Sequence, residues 1–136
     1  PMKKKKQMGR AFQRLFQDAT NRIIKRERAD VIRQSRKKQS KEDFEVWLDE
    51  FYEEHKEFVK RNIAPVIESH NEVLGITPEY QKVEQFTERH INNSKKEILS
   101  LINDTNCDIE TSLKQMFDRW EEKRTIAIAE RETVNA

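Results

Sequence analysis

The sequence predicts an all-α protein, an elongated bundle of about four helices, on three observations. Large apolar residues recur at intervals of three and four over long stretches, the spacing that gathers them on one face of a helix. Only two glycines and three prolines punctuate 136 residues, too few for the turns that a sheet requires. Charged residues make up 38% of the chain and the mean hydropathy is -1.02, a composition that suits long solvated helices.

A first helix is predicted over residues 8 to 38. Phe12, Leu15, Phe16, Ala19, Ile23, Ile24, Val31 and Ile32 form its apolar stripe, which thins after Ile24. Arg10, Arg14, Lys25 and Arg28 fall along one side of the polar surface, and Arg22, Arg26, Arg33 and Arg36 along another. Residues 1 to 38 carry fourteen Lys or Arg against Asp18, Glu27 and Asp30, about +11, so a net charge of +2 leaves about -9 on the remainder. Such a helix can meet the phosphates of double-stranded DNA without reading sequence, or it can pair with the acidic second helix.

The densest stripe in the chain lies between Asp43 and Leu74 and predicts the second helix. Phe44, Trp47, Leu48, Phe51, Tyr52, Phe58, Val59, Ile63, Val66, Ile67, Val73 and Leu74 line it. Ser40 stands at the N-cap position with Asp43 three residues on, and Gly75 stands where a left-handed C-cap belongs. Pro65 removes one backbone donor, so a kink or break is expected near Ile63. Trp47, Phe51 and Phe58 are expected in the core or in an assembly contact. Residues 1–74 thus form a hairpin of a basic helix and an acidic, aromatic one.

Residues 75–136 are predicted to add two further helices to the same domain. Thr77 and Pro78 carry the signals of a third helix start. Tyr80, Val83, Phe86, Thr87, Ile91, Ile98, Leu101 and Ile102 supply its apolar face, interrupted from His90 to Lys96 by a polar patch expected to be an exposed turn. Residues 104 to 108 imitate the start of a calcium loop, but Ile109 stands where the turn needs Gly and Gln115 where a bidentate acid is needed. Asp108 is therefore expected to cap a fourth helix, with Leu113, Met116, Phe117, Trp120 and Ile126 on its stripe. Phe117 and Trp120 join the core or assembly set.

No motif for catalysis, a metal or a cofactor is present. His55, His70 and His90 are dispersed and expected at the surface or at boundaries, and neither Gly9 nor Gly75 belongs to a phosphate loop. Cys107 stands alone, which excludes an internal disulfide. A non-enzymatic protein without cofactor is expected. Lys3 to Lys6 precede no apolar core and no run approaches a membrane span, so a reducing, soluble setting without membrane contact is expected.

Two stretches resemble proteins of tailed bacteriophages. The segment from Phe16 to Glu27, followed by Phe44 to His55 and then by Ile63-Ala64-Pro65, resembles the helical C-terminal region of portal proteins. The tail from Trp120 to Ala136 resembles the helix of Mu F-like minor head, or head-morphogenesis, proteins; Arg131, Glu132 and Thr133 match that helix, and Glu130 stands where it commonly has Arg. Together they imply a virion structural protein, a portal or portal-associated minor head protein acting in capsid assembly and DNA packaging or ejection. The resemblance further implies a fragment of a longer chain, homo-oligomeric at full length, with portal or capsid subunits and double-stranded DNA as partners, located in the host cytoplasm during assembly. It implies no catalytic role for the matched residues. The alternative is a non-enzymatic helical module that binds nucleic acid through the first helix.

Overall fold

A computed structural model describes residues 2–75, 80–104 and 108–134, with side chains over 9–75, 81–104 and 108–133. All of the regular structure among the described residues is helical: α1 (Met2–Ser35), α2 (Lys41–Val73), α3 (Tyr80–Asp104), α4 (Ile109–Arg119), a π-helical turn (Trp120–Arg124) and α5 (Thr125–Val134). At 1.5 Å per residue, α1 and α2 are each roughly 50 Å long. No helix among the described residues is long and apolar enough to cross a membrane.

The helix ends follow from local chemistry. Ser40 accepts the amide of Asp43 at 3.1 Å and starts α2, and Asp108 accepts the Glu110 amide at 3.2 Å and starts α4. Gly75 closes α2 with φ +72 while its amide donates to Glu72, a conformation that a side chain would penalise. The helix does not break at Pro65, which lies on its exposed side. The Thr77 and Pro78 signals, like Cys107, lie outside the described residues.

α2 packs between α1 and α3, and α1 also packs against α4, the π turn and α5. Two apolar clusters result. One joins Ile24 and Val31 of α1 to Leu48 and Tyr52 of α2, Ile98 of α3, and Leu113, Phe117 and Trp120. The other joins Phe16, Ala19 and Ile23 of α1 to Val59 and Ile63 of α2, Phe86 of α3, and Ile128 and Ala129 of α5. Each buried Val, Leu, Ile or Phe side chain among them contributes about 1.5 to 3 kcal/mol relative to exposure.

The stripes predicted from sequence need correcting at their margins. Leu15, Val73, Leu74 and Ile126 are exposed, while Trp47, Phe51 and Phe58 are half-buried at the edge of the core. These three stack in a ladder with His55, with centroid separations of 5.1, 5.1 and 5.4 Å, along the seam between α1 and α2. Ile126 misses the core because it follows Trp120 by six residues, about 240° round the helix, and the π turn adds one residue to the period, so the buried series runs Trp120, Thr125, Ile128, Ala129.

Candidate functional site

Between the two apolar clusters lies a polar layer to which α1, α2, α3 and the π turn contribute. Glu27 comes from α1, Tyr52 and His55 from α2, His90 and Ser94 from α3, and Arg124 from the π turn. Glu27, Tyr52 and Ser94 have no exposed surface, and His55 and His90 are 4% and 3% exposed. The spacing explains the arrangement. Glu27 is four residues after Ile23 and four before Val31, so it occupies a core position of α1, and His55 lies in register between Tyr52 and Val59 on α2.

Both carboxylate oxygens of Glu27 lie 3.1 Å from His90 Nε2. On the far side of the ring, Arg124 Nη2 is 3.3 Å from His90 Nδ1 and 3.1 Å from the His90 carbonyl oxygen. A guanidinium only donates, so Nδ1 accepts and Nε2 carries the proton that is donated to Glu27. Arg124 Nη1 donates to Ser94 Oγ at 3.0 Å, and its guanidinium lies 4.4 Å from the centre of the Trp120 ring. A buried carboxylate is thus joined through one imidazole to a guanidinium at the edge of the layer, which balances the buried charge.

Burial alone would raise the Glu27 carboxyl. The His90 imidazole, which donates its N–H to the carboxylate, then His55 and Arg124, more than offset it and hold the group down at about 2. His55 Nε2 is 3.8 Å from Glu27 Oε1, beyond hydrogen-bond reach, and burial pushes this imidazole below its usual range although Glu27 opposes the shift. Burial, and next the Glu27 charge, push the Tyr52 phenol well above its usual range. Neither Tyr52 Oη nor His55 Nε2 has a hydrogen-bond partner among the described residues.

Glu27, His55 and His90 are the residue types of a metal site, yet the donor chemistry opposes one. A metal would need the Nε2 lone pair of His90, whereas the Arg124 contact assigns the proton to that nitrogen. No group of three His, Cys, Asp or Glu among the described residues has the geometry to hold an ion.

The histidines depart from expectation. All three are buried, His70 at 7% exposure against Phe12 and Phe16, where burial and then Lys82 lower its pKa. The polar patch from His90 to Lys96 is continuous helix and not a turn, because His90 and Ser94 point into the layer while Asn92, Asn93 and Lys96 face outward.

The basic residues of α1 have varied surroundings. Arg28 pairs with Asp118 at 2.7 Å and Glu121 at 3.2 Å, and Arg36 pairs with Glu110. The acidic partners across the bundle are therefore on α4 and the π turn, while toward α2 the basic residues of α1 meet neutral side chains. There Arg22 donates to Asn62 at 3.0 Å and Arg26 covers the Phe58 ring at 5.4 Å. Arg26 and Arg33 also pair with Asp30. Arg10, Arg14 and Lys25 are exposed and have no ion pair among the described residues. Phe117 and Trp120 are buried, and the Trp120 indole N–H donates to Glu97.

The Glu27 layer was hidden in sequence because the charge of a residue outweighs its register in a composition reading. The signal was the thinning of the α1 stripe after Ile24, which is where Glu27 takes an apolar place. Comparison with protein-family models, with curated proteins and with solved structures finds no match to this chain.

Proposed function

We propose that this chain is a non-enzymatic structural module of a tailed-phage head, part of a portal or portal-associated minor head protein that acts in capsid assembly and DNA packaging or ejection. One observation carries the reading. The two stretches that resemble phage head proteins, separated in sequence by residues 66–119, pack directly on one another. Phe16, Ala19, Ile23 and Ile63 from the portal-like stretches share a cluster with Ile128 and Ala129 from the minor-head-like tail. The same stretches supply Glu27 and His55 on one side of the polar layer and Arg124 on the other. Glu27, His90, Ser94 and Arg124 are engaged with one another, the first three buried, as suits a structural joint.

Electron microscopy of the natural full-length product tests this proposal. A ring with this segment on its perimeter or crown is expected, since head-to-tail contacts close into rings. A discrete monomer that neither forms rings nor associates with procapsids would overturn it.

The alternative, phosphate contact by the basic first helix, is favoured by the exposure of Arg10, Arg14 and Lys25 on α1. Changing these three to Ala should reduce the magnitude of the slope of log affinity for double-stranded DNA against log salt by about 3, since each phosphate contact contributes about 0.9. An unchanged slope, or no salt-sensitive retention of DNA at low ionic strength, would remove that reading.

A further inference from the structure

A basic trough follows the seam between α3 and α5. Arg89, Arg124 and Arg131 line one cavity of about 290 Å3, with Asn93, Ala127 and Ile128 beside them. Arg89 and Arg131 also line an adjoining cavity of about 180 Å3 that reaches Lys82. Arg124 reaches the first cavity from the π turn.

Cations gathered in this way repel one another, and an anion among them relieves the repulsion. Two carboxylates are nearby. Glu97 lines the inner cavity and accepts from the Trp120 indole N–H. Glu132 already engages the outer guanidiniums: its Oε1 accepts from Arg131 Nε at 3.2 Å and Nη2 at 3.1 Å, and lies 3.8 Å from Arg89 Nη1. A single carboxylate oxygen thus draws two guanidiniums from different helices, although each guanidinium has five N–H donors. Arg124 is meanwhile set against the buried charge of Glu27. The side chains of Arg89 and Arg131 are 43% and 33% exposed, so their remaining donors are within reach of a solute.

We propose that this trough is a binding site for a phosphate-class oxyanion, held by Arg89 and Arg131 with Asn93 and Arg124 at its inner end, and that Glu132 competes with the ligand for the two outer guanidiniums. Guanidiniums suit this ligand because their planar forks donate in pairs to phosphate oxygens. The larger cavity exceeds the volume of one phosphate group and accommodates either free phosphate or a small phosphomonoester. The site does not depend on the phage-head reading.

Isothermal titration of the 136-residue chain with inorganic phosphate, and separately with glycerol 3-phosphate, at constant ionic strength in chloride tests the proposal. Saturable binding is expected for at least one probe, and tighter binding of the ester identifies an organic phosphate as the ligand class. R89Q and R131Q should each weaken binding tenfold or more while leaving the thermal midpoint without phosphate near that of the parent, because both side chains are at the surface. E132Q should tighten binding severalfold by releasing both guanidiniums. No saturable heat with either probe would overturn the proposal, as would arginine variants that bind like the parent or an E132Q variant that binds no tighter.

Discussion

Replacing Glu27 by Gln keeps the shape of the side chain and removes its charge. The amide oxygen can still accept the His90 N–H, but Arg124 loses its counter-charge across the ring. Because the carboxyl falls from 4.5 to about 2 on folding, its ionised form is favoured in the folded state by roughly 3 kcal/mol at 1.36 kcal/mol per pH unit. The same order is expected from removing one member of a buried pair, which costs about 3 to 5 kcal/mol. In a chain of this size that corresponds to a fall in melting temperature on the order of 10 °C. Urea unfolding at pH 7 measures the loss as a shift in midpoint at constant slope. A second arm uses pH. A depressed folded-state pKa gives stability that is complete above the unfolded value of 4.5 and disappears as pH falls towards about 2. The parent should lose that contribution over this window, and E27Q should lack it. A change of less than about 0.5 kcal/mol at pH 7 would refute the reasoning, because the carboxylate would then be no better than a neutral amide in its place.

Histidine burial gives a second, separate window: His55 and His70 have folded-state values below 6.5, so the unfolded chain takes up protons first and stability should fall as pH drops below about 6.5. The double variant H55F/H70F should flatten the stability profile just below that pH, and an unchanged profile would contradict the assignment. At the alkaline end, the raised Tyr52 phenol predicts a stability loss above about pH 10 that Y52F lacks, measurable by the same titration. L48A and I63A, at fully buried positions, should each cost about 2 to 5 kcal/mol. W47A and F51A should cost clearly less than those truncations, and equal losses would show that the ladder is as deeply packed as the core.

Most of the fold was legible because its elements are long and their ends are chemically marked. Ser40, Gly75 and Asp108 each bear the residue type their cap requires, and no later packing overrides them. The margins of the stripes were less legible. Periodicity identifies a face of α2 but not its width, so Trp47 and Leu48 read alike although one is half-buried and the other has no exposed surface. The π turn was invisible to a fixed helical period, and it moved the buried series one residue along, to Thr125, Ile128 and Ala129. The polar layer was missed for a different reason. Glu27, His55, His90 and Arg124 each lie in a different helix, and nothing local in any of them specifies the other three. What each helix does record is a polar residue at an apolar position: Glu27 between Ile23 and Val31, His55 between Tyr52 and Val59, His90 between Phe86 and Ile98, and Arg124 between Trp120 and Ile128. Four interruptions at one level of a bundle indicate a shared layer, and that inference requires the topology.

That the tail and the N-terminal half form one structural unit is tested most directly by a double-mutant cycle between Glu27 and Arg124, which do not touch and are joined through His90. Urea unfolding of E27Q, R124Q and the double variant at pH 7 gives the coupling energy. A value between about 1 and 3 kcal/mol is predicted, with the double variant less destabilised than the two single losses combined, because removing both charges leaves neither uncompensated. Losses that add to within about 0.5 kcal/mol would contradict the joint.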